Sequence, residues 1–443
     1  MITETAEVKG YYESIRKPIH GFLIILFLAM PWIRIGGEPL IMTDIWNRHF
    51  IIFGRHFFSH DAPLLFFIVI SLVFLIALVT AVWGRVWCGW TCPQTVFIGA
   101  IYQKIEYFVL GSYLQREKIK KEPLTFSIAA KKGLVLFLFI LASYIISHSF
   151  IAYFVGSDRI VQFIQDGPDK HFVIFVCIQV ATILLTINFG WFRHRLCHHI
   201  CPYGRFQNVL LDSNSLMVEY LKNVGEPRKS NTVLPAEQGN CVDCHRCVNV
   251  CPMKIDIRNG FQLECINCAA CIDACDEIMT KIKKPTGLIQ FSTADNRPIQ
   301  WRRFRVVLYS VIIAVAISFL TVQLLNYRSI EVELSRSRQN AFVVEKTEST
   351  KKITNHFEGY IKNQNNKPLK MTVKLSEKSL QKGFKLITQF SEFELQPLEN
   401  HLFHAFISVE VPLQSPELID NDFELQFQTT EDLTTKKFKL LGG

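Results

Sequence analysis

The sequence reads as a multi-domain integral membrane protein: about five transmembrane α-helices, an α+β cysteine-rich module inserted before the last of them, and a C-terminal all-β sandwich. Three observations predict this. Apolar runs of about 20 residues, the length that crosses a bilayer, fall at 18–36, 62–83, 133–154, 171–191 and 305–326. Eight of the 13 Cys crowd into residues 241–275 in two runs of like spacing. The stretch after residue 326 alternates apolar with polar residues and contains no Cys.

Composition agrees. The chain of 443 residues is 49% hydrophobic with 36 Phe and only 20% charged, which argues against disorder and toward lipid as one partner. The first run is the least regular, since Pro31 interrupts it and Arg34 closes it; it reads as a signal-anchor helix. A polar segment with Glu4, Glu7 and Glu13 precedes it without a small-residue cleavage site, so no cleavable signal peptide is expected.

Lys and Arg in the loops set the expected orientation. Residues 84–132 hold eight Lys/Arg against three Asp/Glu and residues 193–303 hold fifteen against eleven, whereas 37–61 and 155–170 carry two Lys/Arg each. The basic loops are therefore expected in the cytoplasm and everything after Tyr327 outside, in a periplasm if the source is Gram-negative. That outward part carries sixteen Lys/Arg and sixteen Asp/Glu, so the net charge of +9 belongs to the inner membrane face. No basic stripe interleaved with aromatics remains, and a nucleic-acid partner is excluded. The expected domains are 1–192 (four spans), 193–303 (a cytoplasmic domain with a module at about 232–285), 304–326 (fifth span) and 327–443 (sandwich). His356–Ile361, Met371–Leu375, Phe403–Val411 and Phe423–Phe427 are its clearest strands.

Cysteine spacing carries the chemistry. Cys241, Cys244, Cys247 and Cys251 follow the pattern C-x2-C-x2-C-x3-C-P, and Cys265, Cys268, Cys271 and Cys275 repeat it with Asp276 in place of Pro. Two such runs make a bacterial two-cluster ferredoxin, in which the fourth Cys of each run ligates the other cluster. One [4Fe–4S] cluster is thus expected on Cys241, Cys244, Cys247 and Cys275, and the other on Cys251, Cys265, Cys268 and Cys271. The competing explanation is a pair of all-thiolate zinc sites, although zinc ribbons rarely use three Cys at this spacing. Loss of the proline puts the surroundings of the last ligand in question.

Two further pairs, Cys88/Cys92 and Cys197/Cys201, each obey C-x3-C-P and follow the second and fourth spans, so they emerge on one membrane face. Spacing of i, i+4 is expected to set both sulfurs on one side of a helix end. Four facing thiolates would form a soft site for Cu(I), zinc or an iron–sulfur centre; each pair could instead be a reversible dithiol, or plain packing beside a helix breaker. Arg85, Arg193 and Arg195 flank the pairs, either to depress thiol pKa values or as ordinary membrane anchors. His194 and His198 are candidate supplementary metal ligands, with solvent-facing imidazole as the default. The outer-loop His49, His56 and His60 are more simply interfacial than copper or haem contacts. Cys177 and His148 lie within spans, read as a small buried hydrophobe and a packing residue.

The stretches Gly84–Phe97 (Gly-Arg-Val-Trp-Cys-Gly-Trp-Thr-Cys-Pro-Gln-Thr-Val-Phe) and Arg195–Gln207 (closing on Cys-Pro-Tyr-Gly-Arg-Phe-Gln), with the double ferredoxin pattern, a last span and the β tail, resemble the cytochrome c oxidase accessory family called CcoG, FixG or RdxA. Gly36–Leu40 and Phe53-Gly54 agree with that family's first outer loop. The resemblance implies an Ig-like tail, residence in a bacterial inner membrane, and reduction of Cu(II) to Cu(I) during assembly of a cbb-type oxidase. Copper is then the substrate at Cys88, Cys92, Cys197 and Cys201, with a cytoplasmic electron donor, a copper exporter or chaperone, and oxidase subunits as partners. C-x3-C-P pairs also resemble those of NapH-related membrane ferredoxins, which implies quinol dehydrogenation as an alternative. A non-enzymatic redox-sensing assembly scaffold is the third.

Overall fold

The computed structural model describes residues 5–44, 49–57, 62–228, 239–293, 299–325, 330–338, 341–347, 349–364, 367–397, 399–412, 422–429 and 433–441. Glu4, Phe58, Ser59, His60, Tyr327, the expected start of the cysteine module at 232 and the side chain of His49 lie outside them. Two compact units result: Met1–Gly54 with Phe58–Thr321, and Val322–Gly443 with Arg55–Phe57.

Among the described residues five helices are long and apolar enough to span a membrane: Tyr11–Trp32, Pro63–Trp83, Phe126–Val155, Phe172–Phe192 and Phe304–Gln323. The first begins seven residues earlier than hydropathy suggests, because its leading amides are capped from afar: Asp273 accepts from the backbone N–H of Tyr12 (3.1 Å) and of Glu13 (2.7 Å). It ends in a single 3-10 turn, Met30–Trp32, at Pro31. The third helix starts at Phe126 and carries Lys131 and Lys132 in its first turns, which makes it 30 residues long, about 45 Å at 1.5 Å per residue. Its Ser147 accepts from Thr182 of the fourth helix (3.2 Å). Cys177 is exposed on the surface of its helix rather than buried, since the fourth helix turns other residues, Ile178 and Thr182, inward.

Between the second and third spans lies an element the sequence reading passed over. Helix Gln103–Leu110 carries Glu106, fully buried, whose carboxylate accepts from both terminal nitrogens of Arg193, one at 3.1 Å. Arg116 approaches the same carboxylate at 3.8 Å and also binds Glu7. Phe97, Ile98, Tyr102, Val135, Phe139 and Phe189 form one buried apolar cluster, and the Arg193 guanidinium lies 5.9 Å from the centre of the Phe139 ring. Arg193, only 1% exposed, is thus a structural partner of Glu106.

The cysteine-rich part is α+β, with short helices Arg246–Val250 and Ala270–Lys281 beside an antiparallel strand pair, Met217–Tyr220 with Ile289–Ser292.

The second unit is β-rich. Strands β1 (Ile330–Arg336), β2 (Phe342–Lys346), β3 (Thr350–Asn363), β4 (Leu369–Leu375), β5 (Lys385–Thr388), β6 (Glu392–Leu395), β7 (Asn400–Pro412), β8 (Asp422–Thr429) and β9 (Leu433–Lys439) form two antiparallel sheets. One has the order β5-β7-β3-β1 with β2 also on β3, and the other β6-β4-β8-β9. Period-two alternation turns Ile353, Phe357 and Ile361, Phe403, Ala405, Ile407 and Val409, and Phe423, Leu425 and Phe427 into one shared core.

Candidate metal centres

In each four-cysteine run the two residues flanking the second Cys take left-handed backbone: Asp243 and His245 around Cys244, and Asn267 and Ala269 around Cys268, with φ between 51° and 62°. Non-glycine residues occupy this region sparingly, so the matched distortion is a property of the spacing. It bends the chain around the thiols and starts a short helix immediately after, which seats the third Cys of each run in a first turn. The fourth Cys differs. Cys251-Pro252 ends its helix, whereas the helix holding Cys275 runs on to Lys281, and Asp276 uses its freedom from proline to accept from the Gly287 backbone N–H (2.9 Å).

The thiols gather in two groups. Cys241, Cys244, Cys247 and Cys275 line a cavity with about 390 Å³ of space between its atoms, together with Val242, Met279 and Leu288. Cys251, Cys265, Cys268 and Cys271 line another of about 370 Å³ with Val218, Ile255 and Ile266, and Cys247 forms part of its wall too. A mononuclear tetrahedral site with Zn–S of 2.3 Å needs sulfurs about 3.8 Å apart. Among the described residues no three of these sulfurs come within 4.8 Å of one another, so the donor set suits a cluster interposed between the thiols better than one ion. Burial pushes Cys247 and Cys251 up to about 11 and Cys265 and Cys275 up to about 12. These thiols are neutral until a metal takes their protons.

The C-x3-C-P pairs depart from the single helix expected. Cys88 lies in helix Val86–Trp90, but Cys92 is extended (ψ 127°) and stands at the N-cap of the next helix, Pro93–Phe97. Cys197 and Cys201 repeat this arrangement around Leu196–Ile200 and Pro202–Leu210. Proline at the first helical position makes the break in both. Cys88, Cys92 and Cys201 all lie near enough to Cys197 that charge on any of them would raise its pKa, and Cys88 donates to Gln207 Oε1 (2.9 Å). Burial raises Cys88 to about 11 and Cys197 to about 12, outweighing the opposite pull of Arg85. The arginines therefore do not activate these thiols: Arg193 is bound to Glu106 and Arg195 is exposed. Nor are the histidines gathered with them. His198 lies 3.6 Å from Glu264 and 3.2 Å from His199, and His194 is buried beside Arg193.

What joins the two kinds of site is a backbone contact. A Cβ added at Gly89 would lie 2.5 Å from the Ile266 carbonyl and 2.9 Å from the Cys268 Cα. Trp90 Nε1 donates to the Asn267 carbonyl (3.1 Å), and Cys88 packs in one apolar cluster with Cys268 and Cys271. Asp273 and Arg16, whose Nη1 donates to the Cys268 carbonyl (2.8 Å), tie the first span to the same loop. Sequence reasoning named the cysteines but missed these contacts. Gly89 inside C-G-W was the one available signal.

Residues 192–294 match the model of a 4Fe-4S dicluster domain and residues 64–110 that of a 4Fe-4S binding domain. The chain is 35% identical to protein RdxB of Cereibacter sphaeroides over 64% of this chain and 61% of RdxB. It is 29% identical to protein RdxA of the same organism over 81% and 78% respectively, and 32% identical to nitrogen fixation protein FixG of Rhizobium meliloti over 60% and 52%. The chain is similar to the FixG/RdxA-type polyferredoxins. The chain thus carries two regions that match 4Fe–4S domains and, among the described residues, five helices long and apolar enough to span a membrane; its match spans less than two thirds of RdxB and of FixG.

One more feature lies near Cys268, a cavity with about 1490 Å³ of space between atoms and open to solvent. Thr5–Lys9, Arg16, Lys104, His20 and His194 line it. His20 Nε2 and His194 Nδ1 are buried there without a protein hydrogen-bond partner. Burial, with Arg193 and Arg16 nearby, lowers His194 to about 4, so it is neutral.

Proposed function

We propose that the chain accepts electrons from a cytoplasmic donor at its ferredoxin module and reduces Cu(II) to Cu(I) for delivery to a cbb-type oxidase under assembly. Cys241, Cys244, Cys247 and Cys275 hold one [4Fe–4S] cluster, and Cys251, Cys265, Cys268 and Cys271 the other, an allocation supported by the two cavities these residues line. When bound, each cluster supplies a one-electron carrier. Cys88, Cys92, Cys197 and Cys201 receive the substrate copper, because thiolate donors match the reduced ion in softness; no three of these sulfurs lie within 4.8 Å of one another, so each ion is held by two of them, a number that satisfies Cu(I). The observation that carries this reading is the seating of Gly89 against Ile266 and Cys268, which sets the thiol pairs beside the second cysteine run with no side chain between. In this reading the ferredoxin module faces the cytoplasm of a bacterial inner membrane, the β-rich unit is an Ig-like periplasmic domain that meets oxidase subunits, and Cu(I) leaves to an exporter or chaperone. Anaerobic purification with metal analysis tests the foundation. About eight iron per chain with a reduced-cluster EPR signal is expected; zinc in place of iron overturns it.

A second reading, quinol oxidation, gains a specific support in the cavity beside Cys268. His148, in the third span, has its Nδ1 2.9 Å from the Tyr144 carbonyl of its own helix. His20, by contrast, sits within the first span and lines that cavity with His194. Bleaching of the cluster absorbance by added quinol, lost in His20→Gln, would favour it over the cytoplasmic donor.

A further inference from the structure

The β-rich unit carries a donor set unrelated to any cysteine. On the paired strands β3 and β7, Glu358 stands directly opposite His404, and His356 lies two residues along the same face, opposite Phe406. The three side chains converge: one ligand atom from each of His356, Glu358 and His404 lies within 4.8 Å of the others, and no other described His, Cys, Asp or Glu group does so. His356 Nε2 and His404 Nδ1 are 3.2 Å apart. Two imidazole nitrogens each 2.0–2.1 Å from one ion stand about 2.9 Å apart at a right angle and about 3.4 Å apart at the tetrahedral angle, which brackets this spacing. The Phe406 ring stacks on His356 at 4.3 Å and 12°, fixing the imidazole plane. The Glu358 carboxylate spends one weak contact, 3.4 Å, on the Arg338 backbone N–H, and a carboxylate has about four acceptor sites.

We propose that His356, Glu358 and His404 form a binding site for a divalent late first-row metal ion, with copper(II) the tightest and zinc(II) next. Two imidazoles and a carboxylate are borderline donors that suit these ions, and affinity at such N/O sites peaks at Cu²⁺. Three protein ligands on an accessible sheet face leave a coordination position for water or an incoming group. Solvent-facing strand residues have no packing reason to bring two imidazoles and a carboxylate together, and two rings held by adjacent strands of one sheet need only give up the hydrogen bond between them to receive an ion. The site is independent of the copper reduction proposed above, since it contains none of the thiols and its occupancy is measured apart from iron content.

The test is Cu²⁺ added to the oxidised, iron-loaded full chain in detergent without an electron donor, read by EPR and by equilibrium dialysis. One Cu²⁺ per chain with nitrogen superhyperfine splitting from imidazole is expected, with dialysis showing one site fewer in His356→Gln/His404→Gln. Glu358→Gln, which leaves both rings in place, should keep the nitrogen pattern and weaken binding about tenfold. Unchanged stoichiometry and splitting in the double-histidine variant, or equal affinity in Glu358→Gln, would reduce the pair to an imidazole hydrogen bond and overturn the proposal.

Discussion

At Gly89 one methyl group decides whether two loops touch. Alanine there would drive its Cβ into the Ile266 carbonyl, and because that atom is backbone, the loop must move as a whole. Gly89→Ala is expected to retain iron yet slow electron exchange between the ferredoxin module and copper at least tenfold, measured by stopped-flow absorbance; an unchanged rate would remove the contact from the account. Asp273 makes a second prediction at this scale. It caps the first span from 261 residues away in sequence, and Gly10 gives it room, since a Cβ there would fall 2.3 Å from its carboxyl carbon. Losing a capping carboxylate costs about 1–2 kcal/mol, so Asp273→Ala should lower the thermal midpoint by several degrees while Asp273→Asn recovers part of it. The cysteines were legible as single letters because metal chemistry fixes their spacing. Asp273 was not, because a lone Asp within Cys-Ile-Asp-Ala-Cys carries no mark of the distant amides it serves.

Among elements, the paired C-x3-C-P segments show where periodicity misleads. Spacing of i, i+4 promised one helix face, but Pro93 and Pro202 place Cys92 and Cys201 at N-caps, so each pair straddles a helix break. The proline was visible and its consequence derivable; what hydropathy hid was the buried Glu106 helix, too short and mixed in character to score as a span. Removing one partner of a buried ion pair costs about 3–5 kcal/mol because the other charge is stranded. Glu106→Ala should therefore cut the yield of folded protein and lower its thermal midpoint, whereas Glu117→Ala, which loses only a surface pair with Lys120, should do neither. The neighbouring His194 sets a pH dependence. Its folded pKa of about 4 lies below the unfolded value near 6.5, so its contribution to stability is full above pH 6.5 and is lost as pH falls toward 4. His194→Gln should flatten the stability profile across that window; a profile identical to wild type would show that the imidazole is not held neutral.

For the whole molecule, the five apolar helices and the β-rich tail were readable in advance because lipid and sheet each impose a simple period on composition. The extents of the helices were less so. The first gains two turns through a cap borrowed from the cysteine module, and the third continues into a lysine-bearing turn that hydropathy discounts. The reading that unites these parts is that electrons held by the cysteine-rich module leave through the four thiols of the C-x3-C-P pairs to copper. Its most direct measurement mixes dithionite-reduced, iron-replete protein anaerobically with Cu(II) and follows the cluster absorbance, for the wild type and for Cys88→Ser/Cys92→Ser/Cys197→Ser/Cys201→Ser. The account predicts prompt reoxidation with about two Cu(I) formed per chain in the wild type and almost none in the variant at equal iron content; equal reoxidation in both would contradict it.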